Sequence, residues 1–182
     1  MSESSTTGGA LRNPDLLGVY CNDHLAAARG GIELVTRMIG RWRGTRFEQP
    51  LEQLLDELRE ERAGLRSTMA SLGVPVRQYK LLASWVGEKL TRAKLNGRLV
   101  SRSPLSDLIE FEFIAIAVLA KRAGFETLRA LGEVDTRVDA ALFERLIDQA
   151  DEQHTWLIEA RREVAADVFG GRPQAASDAA DT

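Results

Sequence analysis

The sequence predicts an all-α fold, in which four long helices form an antiparallel bundle and a helical crossover joins the second to the third. Apolar residues recur at alternating intervals of three and four along four long stretches, which is the period of an amphipathic helix. No stretch shows sustained alternation of apolar and polar residues, so a sheet is not expected. Four of the five prolines stand where a helix should begin, since proline suits the first helical position.

Prolines mark the starts of the first two predicted helices. Asn13 is a suitable N-cap directly before Pro14. The second helix is expected to begin at Pro50 and to end before Gly73, because glycine is favoured just past the end of a helix. The predicted ranges are 14–43 and 50–72.

The remaining helices are predicted from the same signals. Pro75 opens a shorter segment, which we interpret as part of the crossover. Ser103 is a suitable N-cap before Pro104, and Asp135 is a suitable cap for the last helix. The predicted ranges are 75–95, 104–131 and 135–169.

Length and composition indicate one domain with a substantial core, because the chain has 182 residues and 44% of them are hydrophobic. Residues 1–12 and 171–182 are small and polar and are predicted to be disordered, which leaves residues 13–170 for the bundle. The one cysteine, Cys21, excludes an intrachain disulfide and a cysteine-based zinc site. No apolar run approaches the ~20 residues that span a bilayer, and no secretory signal is recognisable, so a cytoplasmic location is expected.

Each of the four long helices carries an acidic or imidazole side chain at mid-length, where its apolar stripe should continue. The first stripe runs Leu16, Tyr20, Asp23, Ala27, Gly31, Leu34, Met38, and the second runs Leu51, Leu54, Leu58, Glu61, Leu65, Met69, Leu72. The stripe after Pro104 runs Leu105, Leu108, Glu112, Ile116, Leu119, and the last runs Leu142, Leu146, Gln149, Gln153, Leu157, Ala160, Val164. Burying a carboxylate is costly unless it is paired or bound to metal. Four interruptions at matching depth therefore predict a polar layer inside the bundle. The residues of that layer are Asp23, Glu61, Glu112, Asp151, Glu152 and His154.

These residues and the crossover resemble the ferritin-like superfamily over residues 14–169. Carboxylate-bridged bundles of this kind take one Glu from each of two helices and a Glu-x-x-His motif from each of the other two. Asp151-x-x-His154 is similar to one such motif, and the stretch Asn22-Asp23-His24 is similar to an uncharacterised group of actinobacterial ferritin-like proteins. The resemblance implies bound iron or manganese, with a ligand set drawn from Asp23, Glu61, Glu112, Asp151, Glu152 and His154.

Two interpretations of the polar layer stay open at the level of sequence. Glu61 has Gly64 rather than histidine three residues later, so the di-metal ligand set is incomplete. The competing interpretation is an internal ion-pair network, in which Arg62, Arg29 or Lys121 reaches inward. No catalytic motif is recognisable, so the sequence favours a non-catalytic bundle that acts through protein contacts over a metal-storage or oxidase-type protein.

The predicted crossover is strongly basic. Residues 76–102 hold seven lysines and arginines against one acid, Glu88, a net charge of +6 in a chain whose total is −3. This charge indicates either a solvated face that pairs with an acidic surface, such as that of a second subunit in a homodimer, or a contact for an acidic protein partner. Nucleic-acid binding is not expected, because no groove-reading motif accompanies the charge. The candidate partner-binding residues are Lys89, Arg92, Lys94 and Arg98.

Overall fold

The computed structural model describes residues 13–77 and 104–170, and these form four α-helices without a strand. The helices are α1 (Pro14–Arg41), α2 (Glu48–Ser71), α3 (Leu105–Gly132) and α4 (Ala140–Phe169). The predicted all-α fold with four long helices is confirmed. Residues 75–77 are not helical, and the rest of the predicted 75–95 segment lies outside the described residues, as do both predicted tails.

The second helix begins at Glu48 rather than at the predicted Pro50, and it ends as the sequence predicts. Gly73 has a φ of +70°, and Val74 N–H donates to the Met69 carbonyl, the bond pattern that closes a helix after a left-handed glycine.

The last helix begins at Ala140 rather than 135, because Asp139 is the residue whose side chain caps it. Asp135 pairs with Arg137 in the preceding turn instead. Asn13 occupies the N-cap position of α1 without a side-chain hydrogen bond.

The helices pack as two contacting pairs, α1 with α2 and α3 with α4, and each pair also touches the other through α1–α3 and α2–α4 contacts. Two apolar clusters fill the interior, one toward each end of the bundle. The first is centred on Met38, Leu51 and Phe111, and the second on Met69, Phe125 and Phe143. The polar side chains described below lie between these clusters. None of the four helices is both long enough and apolar enough to cross a bilayer.

The buried stripe matches the prediction on α2 and differs on α1 and α3. On α3, Phe111, Ile114 and Val118 face the core, whereas the predicted stripe members Ile116 and Leu119 are 64% and 45% exposed. The reason is that residues 113–120 of α3 are apolar without interruption, so periodicity alone does not identify the inward face. This rotation moves Glu112 away from the core axis.

Candidate functional site

A buried ion pair lies at mid-length of the bundle, between the two apolar clusters. Lys121 of α3 places Nζ 2.6 Å from Oε1 and 2.5 Å from Oε2 of Glu61, a residue of α2 that is 4% exposed. The same Nζ lies 2.5 Å from Oε1 of Gln153 on α4. The ammonium group therefore donates to acceptors on two other helices, α2 and α4.

Gln153 completes this network, because its amide nitrogen donates to two carboxylates of α2. The distances are 2.7 Å to Glu57 Oε2 and 3.0 Å to Glu61 Oε1. Lys121 also lies over the ring of Phe125, with Nζ 5.9 Å from the ring centroid. Each charged group in the layer thus has a partner of opposite charge or a hydrogen bond, as a buried polar layer requires.

Burial and pairing shift the pKa of each charged group in opposite directions. Burial raises the pKa of the Glu61 carboxyl, while the Lys121 charge and the hydrogen bonds from Lys121 and Gln153 oppose that rise. Burial lowers the pKa of the Lys121 ammonium, and the Glu61 carboxylate opposes that fall. Each group therefore favours the charged form of the other.

Five of the six predicted ligands lie outside this buried layer. Glu112 accepts two hydrogen bonds from Arg161, at 2.7 and 3.0 Å. Asp151 pairs with Arg122 at 2.5 Å and is exposed. The others are placed as follows: Asp23 and Glu152 are exposed, and His154 is half-buried.

The structure does not bring the six predicted ligands to one point. Across residues 13–77 and 104–170, no three His, Cys, Asp or Glu side chains are grouped so that they could hold a metal ion. The physical reason is that the faces carrying Asp23 and Glu152 turn toward solvent, while arginines pair with Glu112 and Asp151. Of the candidate ligands, Glu61 alone lies in the polar layer, and Lys121 holds its carboxylate.

The sequence signal for the network was incomplete. Lys121 was one of three basic residues expected to reach inward, and it follows Val118 and precedes Phe125 on the core stripe at helical spacing. Gln153 stood in the predicted stripe of the last helix without an assigned role. Glu110, a buried residue of α3, was not predicted at all. Periodicity finds interruptions by acids more readily than by lysine, whose long stem is itself apolar.

A cavity of about 290 Å³ adjoins the polar layer between α1, α2 and α3. Small residues on α1 leave this space open opposite large aliphatic side chains of the other two helices. The residues that line it are Asp23, His24, Ala27, Ala28, Gly31, Leu58, Glu61, Arg62, Leu65, Ile114, Ala117, Val118, Ala120, Lys121, Gly124, Phe125 and Leu128.

His24 of α1 packs against Gly124 of α3 at one side of this cavity. A Cβ atom on Gly124 would lie 2.7 Å from Cε1 of the imidazole, so glycine is what allows the ring to approach. The ring of Tyr20 packs against the same imidazole at a centroid distance of 4.6 Å. Burial lowers the pKa of His24, and the charge of Asp23 opposes this shift. His24 is thus a packed, neutral side chain at neutral pH.

The predicted partner-binding residues Lys89, Arg92, Lys94 and Arg98 lie outside the described residues. No model of a protein family matches this sequence, and comparisons with curated proteins and with solved structures gave no match.

Proposed function

We propose that this chain is a non-catalytic, ferritin-like helical bundle that acts through protein contacts. The observation that carries the proposal is the position of Lys121, whose ammonium group lies between acceptors of α2 and α4. In carboxylate-bridged bundles a metal cation satisfies such acceptors. Here a covalently attached cation does so, and it has neither redox chemistry nor an open coordination position.

Contacts between helices support the ferritin-like topology. Arg41 near the end of α1 pairs with Asp107 near the start of α3, at 2.9 Å. Tyr20, near the start of α1, donates to Thr127 near the end of α3, at 3.1 Å. These pairs run in opposite directions along the two helices, which is the order of an antiparallel pair.

The pairs between α3 and α4 run in opposite directions as well, because Arg122 pairs with Asp151 and Glu112 with Arg161.

The ends of the connection between α2 and α3 support the crossover. Asn22 of α1 donates to the Pro75 carbonyl at 3.0 Å and accepts from the Arg77 amide at 2.6 Å. The chain therefore leaves α2 beside the start of α1. It enters α3 beside the end of α1, where Arg41 meets Asp107. These two points lie at opposite ends of α1, as in ferritin-like rather than up-down topology.

The alternative function is a protein that binds iron or manganese through carboxylates, as metal storage or as an oxidase. Glu57 and Glu61 are the carboxylates nearest to such a site, since both accept from Gln153. A divalent cation there would have to displace the Lys121 ammonium from Glu61. The non-catalytic function is favoured because it needs no such displacement.

Metal analysis separates the two functions. We expect purified protein to carry no stoichiometric iron or manganese, and Mn²⁺ or Fe²⁺ not to raise its melting temperature, because a ligand stabilises only the state that binds it. Stoichiometric metal that is lost in a Glu61→Ala variant would overturn the proposal. Glu60→Ala is the control, since Glu60 is an exposed carboxylate of α2 outside the network.

The outward face of α3 is the contact surface we propose, with a second copy of the chain as its partner. A helix that packs on one side needs one apolar stripe, and apolar residues all round are typical of a helix covered on every side. Residues 113–120 are apolar throughout, yet Ile116 is 64% and Leu119 is 45% exposed. A two-fold axis beside α3 would bury this face against its own copy, as isologous dimers do.

Sedimentation velocity tests this surface. We expect wild-type protein to be dimeric and an Ile116→Lys, Leu119→Lys variant to be monomeric, because two charges would be buried without partners. Val134→Lys is the matched control, since Val134 is 71% exposed and lies outside the 113–120 face. A monomeric wild-type protein, or a dimer that both variants leave unchanged, would contradict the proposed surface.

A further inference from the structure

We infer that the cavity between α1, α2 and α3 is a binding site for a small carboxylate with an apolar body, such as a medium-chain fatty acid. The site lies beside the contact face proposed above: Ala117 and Ala120 of that segment line the cavity, whereas Ile116 and Leu119 do not. It goes beyond that function by naming a ligand class. The size of the cavity, its apolar wall and one arginine in its lining support this inference.

The apolar wall indicates an apolar body rather than water. Leu58, Ile114, Val118 and Phe125 form much of the lining, opposite the backbone of Gly31 on α1. A buried water needs two to four polar partners, and these side chains offer none. At about 30 Å³ for each water-sized group, the cavity holds about ten non-hydrogen atoms, which is the size of octanoate.

The buried donor is Arg62. Arg62 is one of the residues that line the cavity, and its Nε atom is inaccessible to solvent and has no hydrogen-bond partner within the part of the chain that the structure describes. Leaving a buried donor without a hydrogen bond is unfavourable, and a charged donor forms its strongest hydrogen bonds with a charged acceptor. A carboxylate in the cavity can pair with the guanidinium group when the Arg62 side chain turns toward it, because the planar group matches carboxylate geometry.

The other charged groups in the lining leave Arg62 as the anion-binding group. Lys121 and Glu61 neutralise each other in the polar layer. Asp23 is exposed, so solvent screens its repulsion of an anion. His24 is neutral at neutral pH because burial lowers its pKa. The site therefore offers one cationic donor at the edge of an apolar volume.

Isothermal titration calorimetry with octanoate at pH 7.5 tests the site. We expect one molecule to bind per chain, with affinity about 10- to 100-fold weaker for Arg62→Gln, which is the effect of losing a hydrogen bond to a charged group. Arg59→Gln is the matched control, because Arg59 lies on the same helix, is exposed and pairs with Asp56. Octan-1-ol, which lacks the carboxylate, should not distinguish Arg62→Gln from wild type.

A second pair of variants locates the binding. A Cβ on Gly31 would meet only Ile114, at 3.8 Å, so Gly31→Leu extends into the cavity and should abolish binding. Gly40→Leu is its control on the same helix, since nothing lies within 4 Å of a Cβ there. Arg62→Lys keeps the charge and should retain partial binding if Arg62→Gln proves poorly folded by circular dichroism. Absence of octanoate binding to wild type, or equal binding to Arg62→Gln or Gly31→Leu, would overturn the inference.

Discussion

Replacing Lys121 with methionine is expected to destabilise the protein strongly. Methionine keeps an unbranched stem over Phe125 but removes the ammonium group that holds Glu61. The side chains of Glu61 and Lys121 are only 4% and 16% exposed, so solvent cannot replace the lost partner. Removing one member of a buried pair costs about 3–5 kcal/mol. We expect the lower end, about 3 kcal/mol, because Gln153 still donates to Glu61.

A double-mutant cycle measured by urea denaturation isolates the interaction. Glu61→Gln leaves an unpaired ammonium and should also cost about 3 kcal/mol. The double variant carries neither charge and keeps an acceptor for Gln153, so it should be within about 1–2 kcal/mol of wild type. If the two single effects simply add in the double variant, the buried ion pair is not what stabilises the layer.

The pH dependence of folding stability in the two single variants is an independent test of the ion pair. In Lys121→Met, loss of the opposing cation leaves burial to raise the pKa of Glu61 further. A carboxyl with a raised folded-state pKa favours the folded state below its unfolded value of about 4.5 and loses that stability as pH rises through the folded pKa. The variant should therefore lose stability, relative to wild type, as pH rises above about 4.5.

Glu61→Gln should respond in the opposite direction. Burial then lowers the pKa of Lys121 without the opposing carboxylate. A lowered ammonium pKa means that the folded state loses its proton first, so stability rises as pH increases toward the unfolded value of 10.5. Opposite slopes are expected in the two variants, and slopes of the same sign would contradict the assignment of charges.

Three further predictions concern other parts of the chain. Gly124→Ala should lower the free energy of unfolding by about 1–3 kcal/mol because its Cβ meets the His24 ring, and adding His24→Ala should restore most of that stability. Gly30→Ala should instead raise the free energy of unfolding by about 0.5–1 kcal/mol, and urea denaturation measures all three variants. Cys21 should react with a thiol reagent at pH 8 far more slowly in native than in unfolded protein, because burial raises its pKa to about 11. Reversing Lys89, Arg92 and Lys94 to glutamate should change oligomer size or partner retention in a salt-dependent way, and elution unchanged across salt concentrations would contradict the predicted contact.

The sequence was informative where one helix face is apolar and the other is charged. The stripe of α2 was predicted correctly from Leu51 to Met69, including the interruption at Glu61. The stripe of α4 was also correct over Gln153, Leu157 and Val164, because charged residues flank it. Where the contrast between faces is weak, as over residues 113–120 of α3, the inward direction depends on packing against neighbours that a local period does not contain.

The prediction of a polar layer and the prediction of its contents are therefore separate matters. An acid at a core position indicates that something cationic has to lie beside it, but not whether that cation is a metal ion or a side chain. In this protein the cation is Lys121, which lies on a different helix and sixty residues further along the chain than Glu61. The packing of α2 against α4 and of α4 against α3 brings Gln153 within reach of both charges. No spacing within one helix encodes that arrangement.

A tethered ammonium also changes what a metal ion would have to do. Lys121 is held over the Phe125 ring and between Glu61 and Gln153, so its local concentration at the carboxylate is fixed by packing rather than by supply. A divalent cation in solution competes with it at a disadvantage. Removal of the ammonium frees the Glu61 carboxylate near Glu57, both of which still accept from Gln153. Mn²⁺ is thus expected to stabilise Lys121→Met at concentrations that leave wild type unchanged. Stabilisation of wild type at the lower concentration would mean that Lys121 does not keep a divalent cation from these carboxylates.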